Sequence, residues 1–295
     1  MSKYISFNGE LMMEDKPVLT VKNRAFRYGD GLFETIKAHD YTLLFLNDHL
    51  RRLEKGAEMI GLKIPQFLNS SWLYDEAKKL MQRSRLKDAV VRLALFRKDG
   101  GRYTPVTNET DVVISIDEAQ GSFSLNQKGL RVDVYTEHLK PITQLGSLKS
   151  SNALFYVMAS NYKRLKGLDE AIIVNESGHV CEGTSSNVFV LMKKKLITPG
   201  VTQGCVPGVM RKQVIEIAQK GGVEVIQSPI HPETLNMADE VFFTNCSSGI
   251  RWALAYRNKR FFNKFSCQLV DYLNQFADAE VERINSDSDP QENYS

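Results

Sequence analysis

In residues 148–163, LKSSNALFYVMASNYK, Lys149 stands directly before Ser150, Ser151 and Asn152, which can cap a helix, and before an apolar run. The start of a helix carries partial positive charge, so an ammonium there gains nothing from the dipole. Its ordinary reading is a loop lysine whose head reaches water. Its chemical reading is an amine kept uncharged part of the time, a nucleophile suited to Schiff bases. Three other stretches carry comparable possibilities. In CVPGVMR, Gly208 falls at a helix start, where the backbone N–H groups of Val209 and Met210 point outward unpaired, as in anion sites. In HLRRLEKG, Arg52 follows Arg51, lies one turn from His49 on the apolar side, and has the planar fork that grips phosphate. In VCEGTSSNVFV, Glu182 lies between apolar strand residues, where a buried carboxylate needs a partner such as a protonated ring nitrogen. A capped helix, a solvated arginine and a strand-end glutamate facing water are the plain alternatives.

An amine for an imine bond, a carboxylate for a pyridinium, and a helix N-terminus with an arginine for a phosphate are the three anchors of pyridoxal phosphate. With its nitrogen held protonated, the ring accepts the electrons released when a Cα–H bond breaks.

The elements that must position these groups fall into two α/β segments. YISFNGELM is a hairpin about the Asn8-Gly9 turn, of type I′. A strand is expected over 32–38, a helix over 46–62 closed by Gly61, a helix over 71–83, and strands over 90–97 and 111–117. These make a first domain of residues 1–117, followed by a polar linker over 118–129. The second domain, residues 130–284, repeats the pattern: strand RVDVYTEH, the Lys149 loop, a helix over 151–166 closed by Gly167, the strands of EAIIVN and SSNVFVLM with VCEG between them, the helix after Pro207-Gly208, and strand EVFFTN. Residues 285–295 are polar and aperiodic, and are expected to be disordered.

The 295 residues leave room for two cores, and 42% hydrophobic with 25% charged residues is the ordinary globular balance. A net charge of +3 gives no case for nucleic acid. No stretch approaches a membrane span and no leader pattern is present, so a soluble, cytoplasmic protein is expected. Four irregularly spaced cysteines and five scattered histidines offer neither a disulfide framework nor a metal signature.

Five motifs, RAFRYGDGLFETI, FLNDHLRRL, SLKSSNAL, DEAIIVNESGHVCEGTSSNVFV and GCVPGVMR, stand in an order and at distances that resemble the fold-type IV pyridoxal-phosphate enzymes. That group includes branched-chain and D-amino-acid aminotransferases and 4-amino-4-deoxychorismate lyase. The likeness runs from FNG near residue 8 past TNCSSGIRW. It implies an α/β (α+β) fold with a small N-terminal sandwich domain and a larger C-terminal domain whose sheet forms a pseudo-barrel. It further implies that Lys149 is the Schiff-base lysine, Glu182 the pyridine partner and Arg52 the phosphate arginine. The backbones of Val209 and Met210 and the turn at Cys246 and Ser247 complete the phosphate cradle. A homodimer with active sites near the subunit interface is implied as well.

Departures from the transaminase pattern point within the group. Branched-chain transaminases usually carry Gly-Ile-Thr-Arg where this chain has Gly208-Val209-Met210-Arg211; losing the hydroxyl removes one phosphate hydrogen bond, about 1–3 kcal/mol. Met210, the FRKDGGRYTP loop over 96–105 and TNCSSG are similar to the lyases. On that resemblance the chain is expected to release pyruvate and 4-aminobenzoate from aminodeoxychorismate, a step of folate biosynthesis, with Lys149 as base. Arg97 and Arg102 would grip substrate carboxylates or be solvated loop residues; Thr35 would assist proton transfer or be a plain strand threonine; Tyr28 would line the pocket or merely pack. The alternative is an aminotransferase for branched-chain or D-amino acids. A non-catalytic binder of the cofactor is a remoter reading, which the intact Lys149, Glu182 and Arg52 oppose.

Overall fold

The computed structural model describes residues 4–287 and divides the chain into two compact units. The first holds the chain up to Arg27, Phe33–Ser122 and the part from Tyr272 onward; the second holds Tyr28–Leu32 and Phe123–Asp271.

The chain opens with β1 (Tyr4–Phe7) and β2 (Glu10–Met13), joined by Asn8 at φ 52° and Gly9 at φ 92°, the two positive angles a type I′ turn requires. There follow α1 (Arg24–Tyr28), β3 (Gly31–His39), β4 (Thr42–Leu43), α2 (Leu46–Met59), α3 (Ser70–Ser84), β5 (Ala89–Arg97) and β6 (Thr110–Glu118). Among the described residues the strands form a six-stranded sheet in the order β2-β1-β6-β5-β3-β4. Val91, Leu93 and Leu95 of β5 and Val112, Ile114 and Ile116 of β6 are buried at every second position, the period that turns one face of a sheet inward. The helix α3 lies against β1 and β6 through Leu73, Ala77, Leu80 and Met81, and starts where the Asn69 side chain accepts from Trp72 N at 3.0 Å.

The second unit contains β7 (Leu130–Val134), α4 (Leu154–Leu165), β8 (Glu170–Val174), β9 (Val180–Glu182), β10 (Asn187–Met192), β11 (Lys195–Thr198), α5 (Val209–Lys220), β12 (Val225–Gln227), β13 (Glu240–Asn245), β14 (Gly249–Tyr256) and β15 (Lys259–Arg260). Its nine-stranded sheet runs β12-β11-β10-β13-β14-β7-β8-β9, with β15 paired to β14, and it curls into a half-barrel. All of β8 is buried; it is paired on both sides, with β7 and β9, and ends in the β-branched run Ile172, Ile173 and Val174. The expected mixed α/β class is therefore observed.

Four local expectations need correction. Tyr28–Leu32 belongs to the second unit because Ser151 N donates to Gly31 O at 2.9 Å and Leu32 bridges Ser150. A last helix, α6 (Lys264–Asp287), occupies a stretch where no element was expected, and it covers the first residues of the supposed disordered tail. From Tyr272 on it belongs to the first unit: Phe276 stacks on Phe45, and the Glu280 carboxylate accepts from Phe45 N at 3.1 and 3.2 Å. Residues 288–295 of the tail lie outside the described part. The boundary at Ser122/Phe123 falls within the expected linker, yet Phe123 is buried rather than solvated.

Candidate active site

Glu182 ends β9 with its carboxylate buried. Three donors meet it: Lys140 Nζ and the Tyr156 hydroxyl (2.7 Å) on Oε1, and Val206 N (2.9 Å) on Oε2. An ionised carboxylate offers about four acceptor positions, so one on Oε2 is open to a further donor. Burial, and then the neighbouring Glu182 charge, push the Tyr156 hydroxyl well up, so it stays a donor. The same two causes raise the Cys181 thiol and bring the Cys205 thiol to about 11. Both therefore stay neutral near pH 7 and are no nucleophiles.

Lys149 sits on the segment between those two donors. Lys140 precedes it, Tyr156 of α4 follows it, and both hold Glu182, which ties the loop ends to the carboxylate. Lys149 itself is half-buried. The expected helix start at residue 151 is displaced: α4 begins at Leu154, and its cap, Ala153, makes no side-chain capping bond. Ser150 and Ser151 are engaged by Leu32 and Gly31, and the chain bends at Ser151, where Ala153 N donates to Ser151 O at 3.0 Å, before the helix can begin. Lys149 is thus not at the helix terminus, and the unfavourable dipole is not what singles it out. Tyr28, half-buried, begins the YGDG segment that meets this loop.

The start of α5 lies next to Glu182. Val206, which donates to Glu182, accepts through its carbonyl from Asn187 Nδ2 at 2.8 Å. Oδ1 of Asn187 lies so close to Gly208 that any Cβ there would collide with it, so only glycine fits at the cap of α5. No side chain caps this helix, and its first residues, Val209 and Met210, are buried. Asn187 pairs in register with Thr244, whose buried hydroxyl has no hydrogen-bond partner. Beyond it, Asn245 accepts from Ser248 N (2.8 Å) and from the Ser247 and Ser248 hydroxyls, shaping the turn that carries Cys246. An uncapped helix start, a glycine cap and an orphaned hydroxyl fit a phosphate group, and the open position on Glu182 fits a protonated ring nitrogen.

In the first unit, Arg52 Nε donates to Glu34 Oε1 at 2.8 Å and its Nη2 to Oε2, while His49 Nδ1 lies 2.7 Å from Oε2. Burial alone would raise the Glu34 carboxyl, but the Arg52 guanidinium and His49 outweigh it and hold it at about 2. Thr35 lies next along β3, half-buried, on the opposite face from Glu34.

Arg97 is not placed as a substrate grip. Its guanidinium donates to the carbonyls of Ile60 (2.8 Å) and Gly61 (3.0 Å) and to Asn108, so it satisfies the end of α2. The loop after it is fixed by Arg24, a buried residue that sequence reading passed over, whose Nη1 donates to Gly100 O (2.9 Å) and Arg102 O (2.6 Å). Gly100 and Gly101 have φ of 124° and 72°, a course that L side chains resist, and Arg102 is exposed on it. Lys140, Tyr156, Asn187 and Arg24 were all missed; each takes its role from a distant partner, and no local pattern marks them.

Among the described residues no group of three or more His, Cys, Asp or Glu could hold a metal ion, and no helix is long and apolar enough to cross a membrane.

The family model described as amino-transferase class IV matches residues 31–255. A putative branched-chain-amino-acid aminotransferase of Methanocaldococcus jannaschii is 30% identical over 247 residues, which cover 83% of this chain and 85% of the relative. Among solved structures, the branched-chain aminotransferase of Thermoproteus uzoniensis with norvaline superposes with a TM-score of 0.83 at 25% identity, over 92% of this chain and 94% of that one. A putative 4-amino-4-deoxychorismate lyase of Legionella pneumophila superposes with a TM-score of 0.81 at 25% identity, over 89% and 96%.

Proposed function

The chain belongs to the class IV aminotransferase family, and on that premise we propose that it is a 4-amino-4-deoxychorismate lyase. Its cofactor is pyridoxal 5′-phosphate. Bound there, the cofactor supplies a sink for the electron pair left when a C–H bond beside an amine is broken. Glu182 offers the open position on Oε2 to the ring nitrogen. The backbone of Val209 and Met210, the turn at Cys246 and Ser247, and Arg52 hold the phosphate. The Lys149 amine removes the substrate's ring proton; the C–O bond to enolpyruvate breaks as the ring becomes aromatic, and the same amine returns a proton to the leaving fragment. Thr35 and Tyr28 are proposed to flank that transfer.

The observation that favours the lyase is the loop fixed by Arg24, which presents exposed Arg102 on two glycines held at positive φ. A substrate ring bearing two carboxylates needs such a cation. One charge-assisted contact contributes about 1.5–3 kcal/mol, so Arg102→Ala is expected to lower pyruvate release from aminodeoxychorismate about tenfold or more, with the cofactor absorbance unchanged. No pyruvate from the wild type, together with keto acid formation that requires 2-oxoglutarate, would replace the lyase by the second reading. That reading, an aminotransferase for branched-chain or D-amino acids, is favoured by the names of the relatives.

We also propose a homodimer. Leu154, Val157 and Leu165 on one side of α4 are 68%, 58% and 67% exposed, an apolar helix face that a second copy would cover. Light scattering should give twice the 33.5 kDa chain mass; a fully active particle of single-chain mass contradicts it.

A further inference from the structure

Lys140 is a buried cation that the family motifs do not include. Its backbone is pinned: Lys140 N donates to Val174 O at 2.9 Å, and its carbonyl accepts from Glu176 N at 3.0 Å. From that fixed base Nζ reaches Oε1 of Glu182 and the Tyr156 hydroxyl (2.7 Å), and lies 5.1 Å from the centre of the Tyr156 ring. Both charged side chains of the pair are 4% exposed. The other groups that feel this charge are Cys181 on β9 and Cys205 before α5; the nearby cation acting on Cys205 is Arg211 on α5, whose guanidinium is occupied by Pro199 O and Gln227. Lys140 is thus the cation in direct contact with the carboxylate.

We propose that Lys140 is a positioning residue for the cofactor ring: its ammonium, seated on Oε1 of Glu182, keeps the proton off that carboxylate, so that the open position on Oε2 receives a ring N–H. The inference rests on the reading of Glu182 given above. A desolvated carboxylate supported only by neutral donors gains by taking up a proton, and would then face a neutral ring nitrogen. A cation in contact with the carboxylate reverses the preference. A proton on Glu182 lies nearer to Lys140 than a proton on a nitrogen hydrogen-bonded beyond it, so Coulomb repulsion moves the proton to the ring. A plain structural ion pair would stabilise the fold and leave the ring nitrogen unaffected.

The test is nitrogen NMR of the holoenzyme loaded with cofactor carrying ¹⁵N in the ring, with cofactor affinity measured alongside by fluorescence titration. The wild type and Lys140→Arg are expected to show a protonated ring nitrogen and affinities within about threefold of each other. Lys140→Gln, which keeps a donor and removes the charge, and Lys140→Met should show a neutral nitrogen and bind cofactor about tenfold or more weakly, because a neutral carboxyl facing a neutral nitrogen has lost the charge-assisted bond to the ring. A neutral nitrogen in the wild type, or a protonated one in Lys140→Gln with affinity within about twofold, overturns the proposal. Where Lys140→Met does not fold, Lys140→Gln decides. Glu182→Gln separates the two levels: if it leaves the ring nitrogen protonated, the reading of Glu182 itself fails, and if it does not while the Lys140 variants behave as wild type, only the role of Lys140 falls.

Discussion

Lys149→Ala is expected to lower turnover by about 10⁴-fold or more, the upper range for losing a positioned acid–base group, with any further loss coming from the missing covalent hold on the cofactor. The fold should survive. The loop is tied down by Lys140 and Tyr156 on Glu182 and by the pairing of Ser150 and Ser151 with Leu32 and Gly31, none of which uses the Lys149 amine. The variant should therefore melt near the wild-type temperature and still bind cofactor reversibly, while dialysis strips the cofactor away. Lys149→Arg should not recover activity, because a guanidinium stays charged and can neither attack a carbonyl nor take up a proton. Steady-state rates on the substrate that the wild type turns over provide the check, and a Lys149→Ala enzyme within tenfold of wild type removes Lys149 from the reaction.

Glu182→Gln is expected to slow proton removal by about 10²-fold or more, the cost of losing one strong charge-assisted bond to the ring nitrogen. From the sequence alone the exchange looks nearly isosteric and harmless to the fold. The structure changes that expectation: an amide turns one face of the group into a donor where three donors already converge, and it leaves Lys140 buried without a counter-ion. Breaking a buried pair from one side costs about 3–5 kcal/mol. The single variant should therefore be both slower and less stable, and Lys140→Met combined with Glu182→Gln should regain stability without regaining rate. Denaturant melts with single-turnover rates on the same preparations separate the two effects. A Glu182→Gln protein that binds cofactor and runs at wild-type speed contradicts the assigned role.

What could be read in advance was local. The Asn8-Gly9 turn, the alternation in β5 and β6, and the glycine before the first turn of α5 follow from neighbouring residues, and each is observed. What could not be read depends on partners far along the chain. Lys140 looks like any loop lysine until β9 brings Glu182 to it, and Arg97 looks like a loop cation until the end of α2 takes its donors. Ser150 and Ser151 have the composition of helix caps but spend their backbones on residues near the start of β3, which delays α4. The helix α6 is a different case. Leu269, Val270, Leu273, Ala277 and Val281 are buried at helical spacing, a stripe present in the sequence at the end of the second domain to which no element was assigned.

The central claim is that Lys149 is the residue that holds the cofactor, and one measurement addresses it directly. Purified holoenzyme is reduced with borohydride, digested, and its peptides are mapped by mass spectrometry. The account predicts a single cofactor-bearing peptide with the modification on Lys149, and none in Lys149→Ala treated identically. Modification fixed on Lys140, on another lysine, or on none, in protein that carries cofactor and turns over substrate, would contradict it.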